Sequence, residues 1–465
     1  MTIFWKIFRV ILPDVSELIW SEDRNQQLRG TIKIRDLLSR RKNPPVEEIV
    51  RSGAVERLVE FLSRDDFPRL QLQSAGVLCS ITSGTSENAK LVVDHGAVPS
   101  FVKLLGSPCD EIREQAIRVL GNIAGHSAGN RDVVLGHGAL VPLLAMVLKD
   151  HTKLSTLRII ARTIFNLCKG KPEPPMRETQ LVLSALERLL RSNDAQILED
   201  ASRAISHITD DGAEDRIQAV IDAGLCPRLI RLLSLPSPTP ILAPALRAVG
   251  NIAAGDDDQT QTLIHHRALH YLCTLLTHHR DQNIKREACW VVSNIAAGNE
   301  NQIHALIKSG VVRPLIRLLR NRGDPGTEIE VVWAIANIAF GGTRDQIKFL
   351  ASQGCIGPLC DQLARPDSRI ATVCLKALEI ILKVGEEEQM EGKTGGINLY
   401  AKEMDEANGF DNIEKLRRHG SSVIYEQAAR ILCGYRENRD DALFSRFWLN
   451  FIPVMWRRAV ISPIV

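Results

Sequence analysis

The chain has 465 residues, more than one compact core usually supports, so it requires either several domains or an elongated array of repeats. Apolar residues make up 45% and charged residues 24%, an ordinary balance for a soluble folded chain, and 5% aromatics suits helices packed through Ala, Leu and Ile. A net charge of +3 is too small to indicate nucleic acid, and ten cysteines with no C-x-x-C pair and no secretory signal read as buried thiols in a cytoplasmic or nuclear protein.

The opening MTIFWKIFRVILP is apolar but broken by Lys6 and Arg9, a poor signal peptide and too short to span a bilayer. The longest basic run is Arg40-Arg41-Lys42. From there one phrase recurs: CSITSG at 79, GNIAG at 121, FNLCKG at 165, SHITDD at 206, GNIAAG at 250, SNIAAG at 293 and ANIAFG at 336. Its polar residue is Ser80, Asn122, Asn166, His207, Asn251, Asn294 and Asn337, at successive spacings of 42, 44, 41, 44, 43 and 43. A second phrase keeps step with it, as in SGAVERLVEFL from Ser52 and SGVVRPLIRLL from Ser309. That period belongs to two- or three-helix solenoid repeats.

Each unit reads as a short helix, an apolar helix after a glycine, a polar loop such as LGSPCDEI, and a third helix ending in the amide phrase. Gly84, Gly170, Gly255, Gly298 and Gly341, just past the third helices, are expected to form left-handed C-caps. The fold class is all-α, a right-handed superhelical solenoid of about ten repeats over residues 14–437, with a short segment 1–13 before it and an apolar tail 438–465 after it. The tail is broken by Pro453 and Arg457-Arg458. It could pack on the last repeat, meet a membrane surface or come from an altered reading of the gene; a membrane is not the better reading.

In REACWVVSNIAAGNENQ, Glu287, Trp290 and Asn294 stand at i, i+3 and i+7, one face of a helix whose apolar stripe is Ala288, Val291, Val292 and Ile295. That polar face is left for solvent or a ligand. An amide donates and accepts, so a row of asparagines can hold an extended peptide backbone whatever its side chains. Indoles one turn earlier can take lysine stems between them, at about 0.5–2 kcal/mol per cation–π contact. Carboxylates add charge selectivity.

Several stretches resemble the importin-α (karyopherin-α) nuclear import adaptors, an armadillo-repeat family: SEDRNQQLRGTIKIRDLLSR, GTSENAKLVVDHGAVPSFVKLLGSP, REQAIRVLGNIAG, PALRAVGNIAAGDD, REACWVVSNIAAGN and GINLYAKEMDEANGFDNIEKL. The likeness covers roughly residues 14–435. It implies binding of nuclear localisation signals (NLS) of cargo proteins at a major site on repeats two to four and a minor site on repeats six to eight. Trp290, Asn294, Trp333, Asn337, Glu287 and Glu330 fall on the family's minor-site positions, with Asn251 and Thr260 from the preceding repeat.

The major site departs from the family. Where tryptophans belong, the sequence has Gly76, Arg118, Arg162 and Arg203; Asn122 and Asn166 survive, but the first amide is Ser80. The family's lysine pocket of glycine, threonine and aspartate reads Gly84, Ala89 and His126. Replacing an indole by a guanidinium costs about 1–3 kcal/mol per lysine, so two losses cut affinity ~30-fold at the low end and well beyond ~100-fold over most of that range. The minor site is therefore expected to dominate. Arg118, Arg162, Arg203 and Arg247 would form a positive row suited to an acidic protein segment, making the chain a non-transport scaffold; the alternative is drift in a copy released from selection.

No arginine/lysine cluster precedes Pro13, so importin-β recruitment in the family's way, and the autoinhibition that segment brings, are not expected unless the sequence is truncated. The export receptor is a further partner the resemblance leaves open. No nucleophile–base pair or paired carboxylates stand out, so no enzyme and no cofactor is expected. His265, His266, His270, His278 and His279 lack a ligand set on one face and read as solvated surface without a metal. GEEEQMEGKTGG at 385–396 reads as a linker loop, and Asp256-Asp257-Asp258 as a solvated acidic turn.

Overall fold

The computed structural model describes residues 15–39, 44–234 and 236–437, and the regular elements among them are all helical. The segment 1–13, the Arg40-Arg41-Lys42 run and the tail 438–465, each given a reading above, lie outside the described residues. The chain divides into two compact units, residues 1–271 and 272–465.

In the first unit the third helices of the repeats are Arg24–Ser39, Pro68–Thr82, Asp110–His126, Leu154–Cys168, Ala195–Ile208 and Thr239–Ala253, each packed on the one before. In the second they are Gln282–Ala296, Pro325–Gly341, Ser368–Met390 and Ser422–Leu432, again in sequential contact. The fold is an armadillo-repeat solenoid. Its core is the apolar stripe of these helices, as with Ile117 and Leu120, Ile160 and Ile164, or Val331 and Ile335, all without solvent exposure. Burying such side chains contributes about 1.5–3 kcal/mol each before chain entropy is counted.

The left-handed glycines are not where the sequence suggested. Of the five expected C-caps only Gly170 has positive φ, 93°. The others answer to close approach instead: a Cβ at Gly255 or Gly298 would sit 2.0 or 1.8 Å from the side-chain oxygen of Gln259 or Gln302. Those glutamines close capping boxes with Asp256 and Asn299, so the glycine makes room for the next helix's cap. Positive φ falls between the first and second helices, at Gly53, Gly96, Gly138, Gly224, Gly310 and Gly354, where the chain reverses. The acidic run at 256–258 is thus the capped start of helix Asp257–His265, where carboxylates suit the helix dipole. Gly385–Met390, expected in a loop, instead continues helix Ser368–Met390; at Gly385 the missing Cβ lets the Asn398 side chain approach.

One repeat lacks its first helix. After Leu154–Cys168 the segment Lys171–Pro175 holds three prolines, which lack the N–H donors and the ring geometry a helix interior needs. Arginines on both sides hold this segment. Arg131, with no solvent exposure, donates to the carbonyls of Lys169 at 2.9 Å, Gly170 at 3.0 Å and Pro172 at 2.6 Å, while Arg216 donates to Pro174 O at 2.6 Å. Arg131→Ala is expected to lower the unfolding free energy by roughly 3 kcal/mol, ~1 for each carbonyl left without a donor. Urea denaturation checks it, and a midpoint equal to the parent's would show that the prolines hold the segment by themselves.

Candidate functional site

The amide ladder is first a set of cross-repeat ties. Asn166 donates Nδ2–H to Gly121 O at 2.8 Å, Asn251 to Ser206 O at 3.0 Å, and Asn337 to Ser293 O at 2.9 Å. Asn122 reaches Cys79 O more weakly, at 3.4 Å. In every case the acceptor is the carbonyl just before the ladder residue of the preceding repeat. Each bond contributes about 1 kcal/mol net. It also fixes the side chain's orientation and leaves the four amide oxygens without a bond among the described residues; Nδ2 of Asn122 and Asn251 reaches a second acceptor, the Thr82 and Thr209 hydroxyls, whereas Asn166 and Asn337 keep a second N–H.

In the second unit helix Gln282–Ala296 packs on Pro325–Gly341 and brings together Glu287, Trp290 and Asn294 with Glu330, Trp333 and Asn337. The apolar stripe is as expected, Ala288, Val291, Val292 and Ile295 all being buried. The polar face is less open than the sequence implied. Trp290 is only 8% exposed and Glu330 only 4%, whereas Glu287, Asn294 and Trp333 are half-buried. The expectation that both indoles stand as open walls is corrected: helix-on-helix packing makes Trp290 a floor and leaves Trp333 the more accessible ring. Glu330 makes its charge felt nearby, since the Cys289 thiol is pushed up by burial first and then by this carboxylate. Asn251 and Thr260 belong to the first unit. Both are buried, and Thr260 donates its hydroxyl to Ala253 O at 3.2 Å, capping the end of helix Thr239–Ala253.

The positions expected to form a degenerate major site lie in the first unit, where neighbouring side chains fill the space and the hydrogen bonds around them. A Cβ at buried Gly76 would meet the Arg35 guanidinium at 3.0 Å, so an arginine from the preceding repeat fills the space over this glycine. Arg35 is fixed by donating to Gln73 Oε1 at 2.8 Å. Half-buried Ser80 bonds only within its own helix, to Gly76 O at 3.2 Å, and Gly84 is exposed. Ala89, fully buried, has no hydroxyl to cap the preceding third helix as Thr260 does; His126 does so instead, its Nε2 lying 2.8 Å from Thr82 O. With a carbonyl as partner, Nε2 must carry the proton.

At the fourth and fifth repeats the arginines surround a ring. The guanidinium carbons of Arg162 and Arg203 lie 5.9 and 5.8 Å from the Phe165 centroid, and Lys169 Nζ lies 5.6 Å from it. His207, in the ladder position, packs on the same ring at 5.6 Å. Arg162 Nε sits 3.0 and 3.1 Å from the two oxygens of Asp200, a carboxylate with no solvent exposure, and Arg203 pairs with Glu199 at 2.8 Å. Burial raises the Asp200 pKa, an effect the Arg162 charge opposes. Arg118 is exposed and has no ion pair among the described residues.

With this geometry in hand, the likeness to known proteins is informative. The armadillo/β-catenin-like repeat family matches residues 42–83, 85–125, 214–254, 256–297 and 299–340. Importin subunit alpha-1b of Oryza sativa subsp. japonica is 52% identical over 433 residues, 93% of this chain and 80% of that protein. Importin subunit alpha-3 of Arabidopsis thaliana is 53% identical over 421 residues, 90% of this chain and 78% of that protein. Among solved structures, an engineered protein 27% identical superposes with a TM-score of 0.79, covering 91% of this chain and 98% of its own. The chain belongs to the importin-α family.

Within that importin-α frame, the residues that sequence reasoning missed are Arg35, Phe165, Lys169, Glu199 and Asp200. Only Phe165 carried a signal, a large ring in the small-residue slot before a ladder asparagine. His207 gives a testable consequence. Burial lowers its pKa first, with Lys169 and Arg203 adding to the effect against Asp210. The unfolded chain therefore binds a proton that the folded chain resists, so stability is lost as pH falls below about 6.5, down to the depressed folded value. His207→Asn is expected to flatten that part of the pH–stability profile. Thermal unfolding between about pH 7 and 5 checks it; an unchanged slope would show that His207 titrates normally.

Proposed function

We propose that this importin-α family member carries cargo through the face of its second unit, where Trp333, Asn337, Trp290, Asn294 and Glu287 meet, with Glu330 beneath. Its function is that of its family, an adaptor that binds nuclear localisation signals for protein import into the nucleus; such adaptors are not enzymes. The supporting observation is the pairing of an accessible ring with an oriented amide: Trp333 lies one turn before Asn337, whose Nδ2 is committed to Ser293 O, leaving its oxygen for a peptide N–H. A lysine stem laid on Trp333 would meet the ring face near the charges of Glu287 and Glu330. Localisation to cytoplasm and nucleus follows from this reading. Family members bind NLS cargo and importin-β in general.

In the first unit the same logic runs against basic peptides. Arg162, Arg203 and Lys169 already occupy the surroundings of the one ring there, and His126 stands in the lysine pocket. Trp333→Ala is expected to weaken binding of a lysine-rich NLS peptide roughly 2- to 30-fold, the value of one cation–π contact, and Trp290→Ala with Trp333→Ala at least ~10-fold. Fluorescence anisotropy measures it, with thermal unfolding as a control for the packing role of Trp290. Unchanged affinity in the folded double variant would rule out this site.

A further inference from the structure

The cations of the first unit are held in a way that ion pairs alone do not explain. Arg162 gives only its Nε to Asp200, so its two terminal nitrogens carry no bond among the described residues, while Phe165 backs the guanidinium. Its side chain remains 43% exposed, and that of Arg203 40%. Lys169 shares the ring without an ion pair among the described residues. Toward the amino terminus, Arg118 stands exposed on the next third helix, and the Arg35 guanidinium lies over Gly76, one turn before Ser80. Arg118, Arg162, Arg203 and Lys169 thus lie along three successive third helices, beside Glu199, Asp210 and a wholly buried Asp200. A guanidinium anchored at Nε and stacked on a ring presents its outer edge in the fork geometry that carboxylates take bidentately.

We propose that the face formed by Asp110–His126, Leu154–Cys168 and Ala195–Ile208 binds extended acidic peptide segments, with Arg162 and Arg203 on Phe165 as the central clamp and Arg118 as an outer contact. Asn122 and Asn166, tied through Nδ2, turn their amide oxygens, and Asn166 its second N–H, to the peptide backbone beside these charges. Third helices pack about 10 Å apart and an extended strand advances ~3.3 Å per residue, so successive clusters meet roughly every third side chain. The net excess of cations is modest and confined to one face, which suits a peptide with spaced carboxylates better than a nucleic acid backbone, whose affinity comes from many phosphate contacts. This surface is separate from the second-unit face assigned to basic signals, so either can fail without the other.

The test is anisotropy titration of the full chain with a glutamate-rich peptide, its phosphoserine counterpart, a lysine-rich peptide and a single-stranded oligonucleotide, at low and physiological salt. Salt-sensitive binding of the glutamate-rich peptide is expected, and binding of both acidic peptides would mean the clamp reads anionic side chains of either kind. Arg118→Gln, at an exposed position, should weaken that binding several-fold. Arg162→Gln made together with Asp200→Asn, so that no buried carboxylate is stranded, should weaken it about tenfold or more. Both variants should leave lysine-rich binding unchanged. No binding of either acidic peptide, unchanged affinity in both folded variants, or tighter binding of the oligonucleotide would overturn the proposal.

Discussion

The interaction on which the site depends is the bond from a ladder asparagine to the backbone carbonyl one repeat earlier. Asn166, Asn251 and Asn337 make it at 2.8, 3.0 and 2.9 Å to the same relative position, just before the preceding ladder residue. A helix-interior carbonyl already accepts from its own ladder, and its second lone pair takes the amide proton. The bond therefore registers one third helix against the next and aims the free half of each amide in a repeated direction. One end of the side chain thus serves the fold, and the other is the end proposed to meet a peptide.

Where the ladder lacks its asparagine, other side chains take up the space and the bonds. His207, in one such position, packs tilted against Phe165, with ring centroids 5.6 Å apart. Arg35 fills the volume over Gly76, and His126 caps a helix end that a threonine hydroxyl caps elsewhere. Residues in direct contact compensate one another in this way because an unfilled gap or an unsatisfied buried carbonyl costs about 1–3 kcal/mol.

The repeat period, the helix triplets and the ladder positions were legible in the sequence because they rest on local pattern: apolar spacing, amides at fixed offsets and punctuating glycines. The indole and carboxylate positions were legible by family resemblance, but their exposure was not. Trp290 and Glu330 are buried by a neighbouring helix some forty residues away, and helical phase cannot report that. The glycine roles failed for a similar reason, since Gly255 and Gly298 answer to glutamines on the following helix rather than to their own φ. The arginine row was visible, but its ring and buried carboxylate, Phe165 and Asp200, became partners only through stacking of successive repeats.

The two units are proposed to divide the labour, the second taking basic signals and the corresponding face of the first being closed to them. Photo-crosslinking of a lysine-rich signal peptide to the full chain, read out by mass spectrometry, tests this most directly. Adducts confined to helices Gln282–Ala296 and Pro325–Gly341 are the predicted result. Adducts concentrated on Asp110–His126 and Leu154–Cys168 would contradict it.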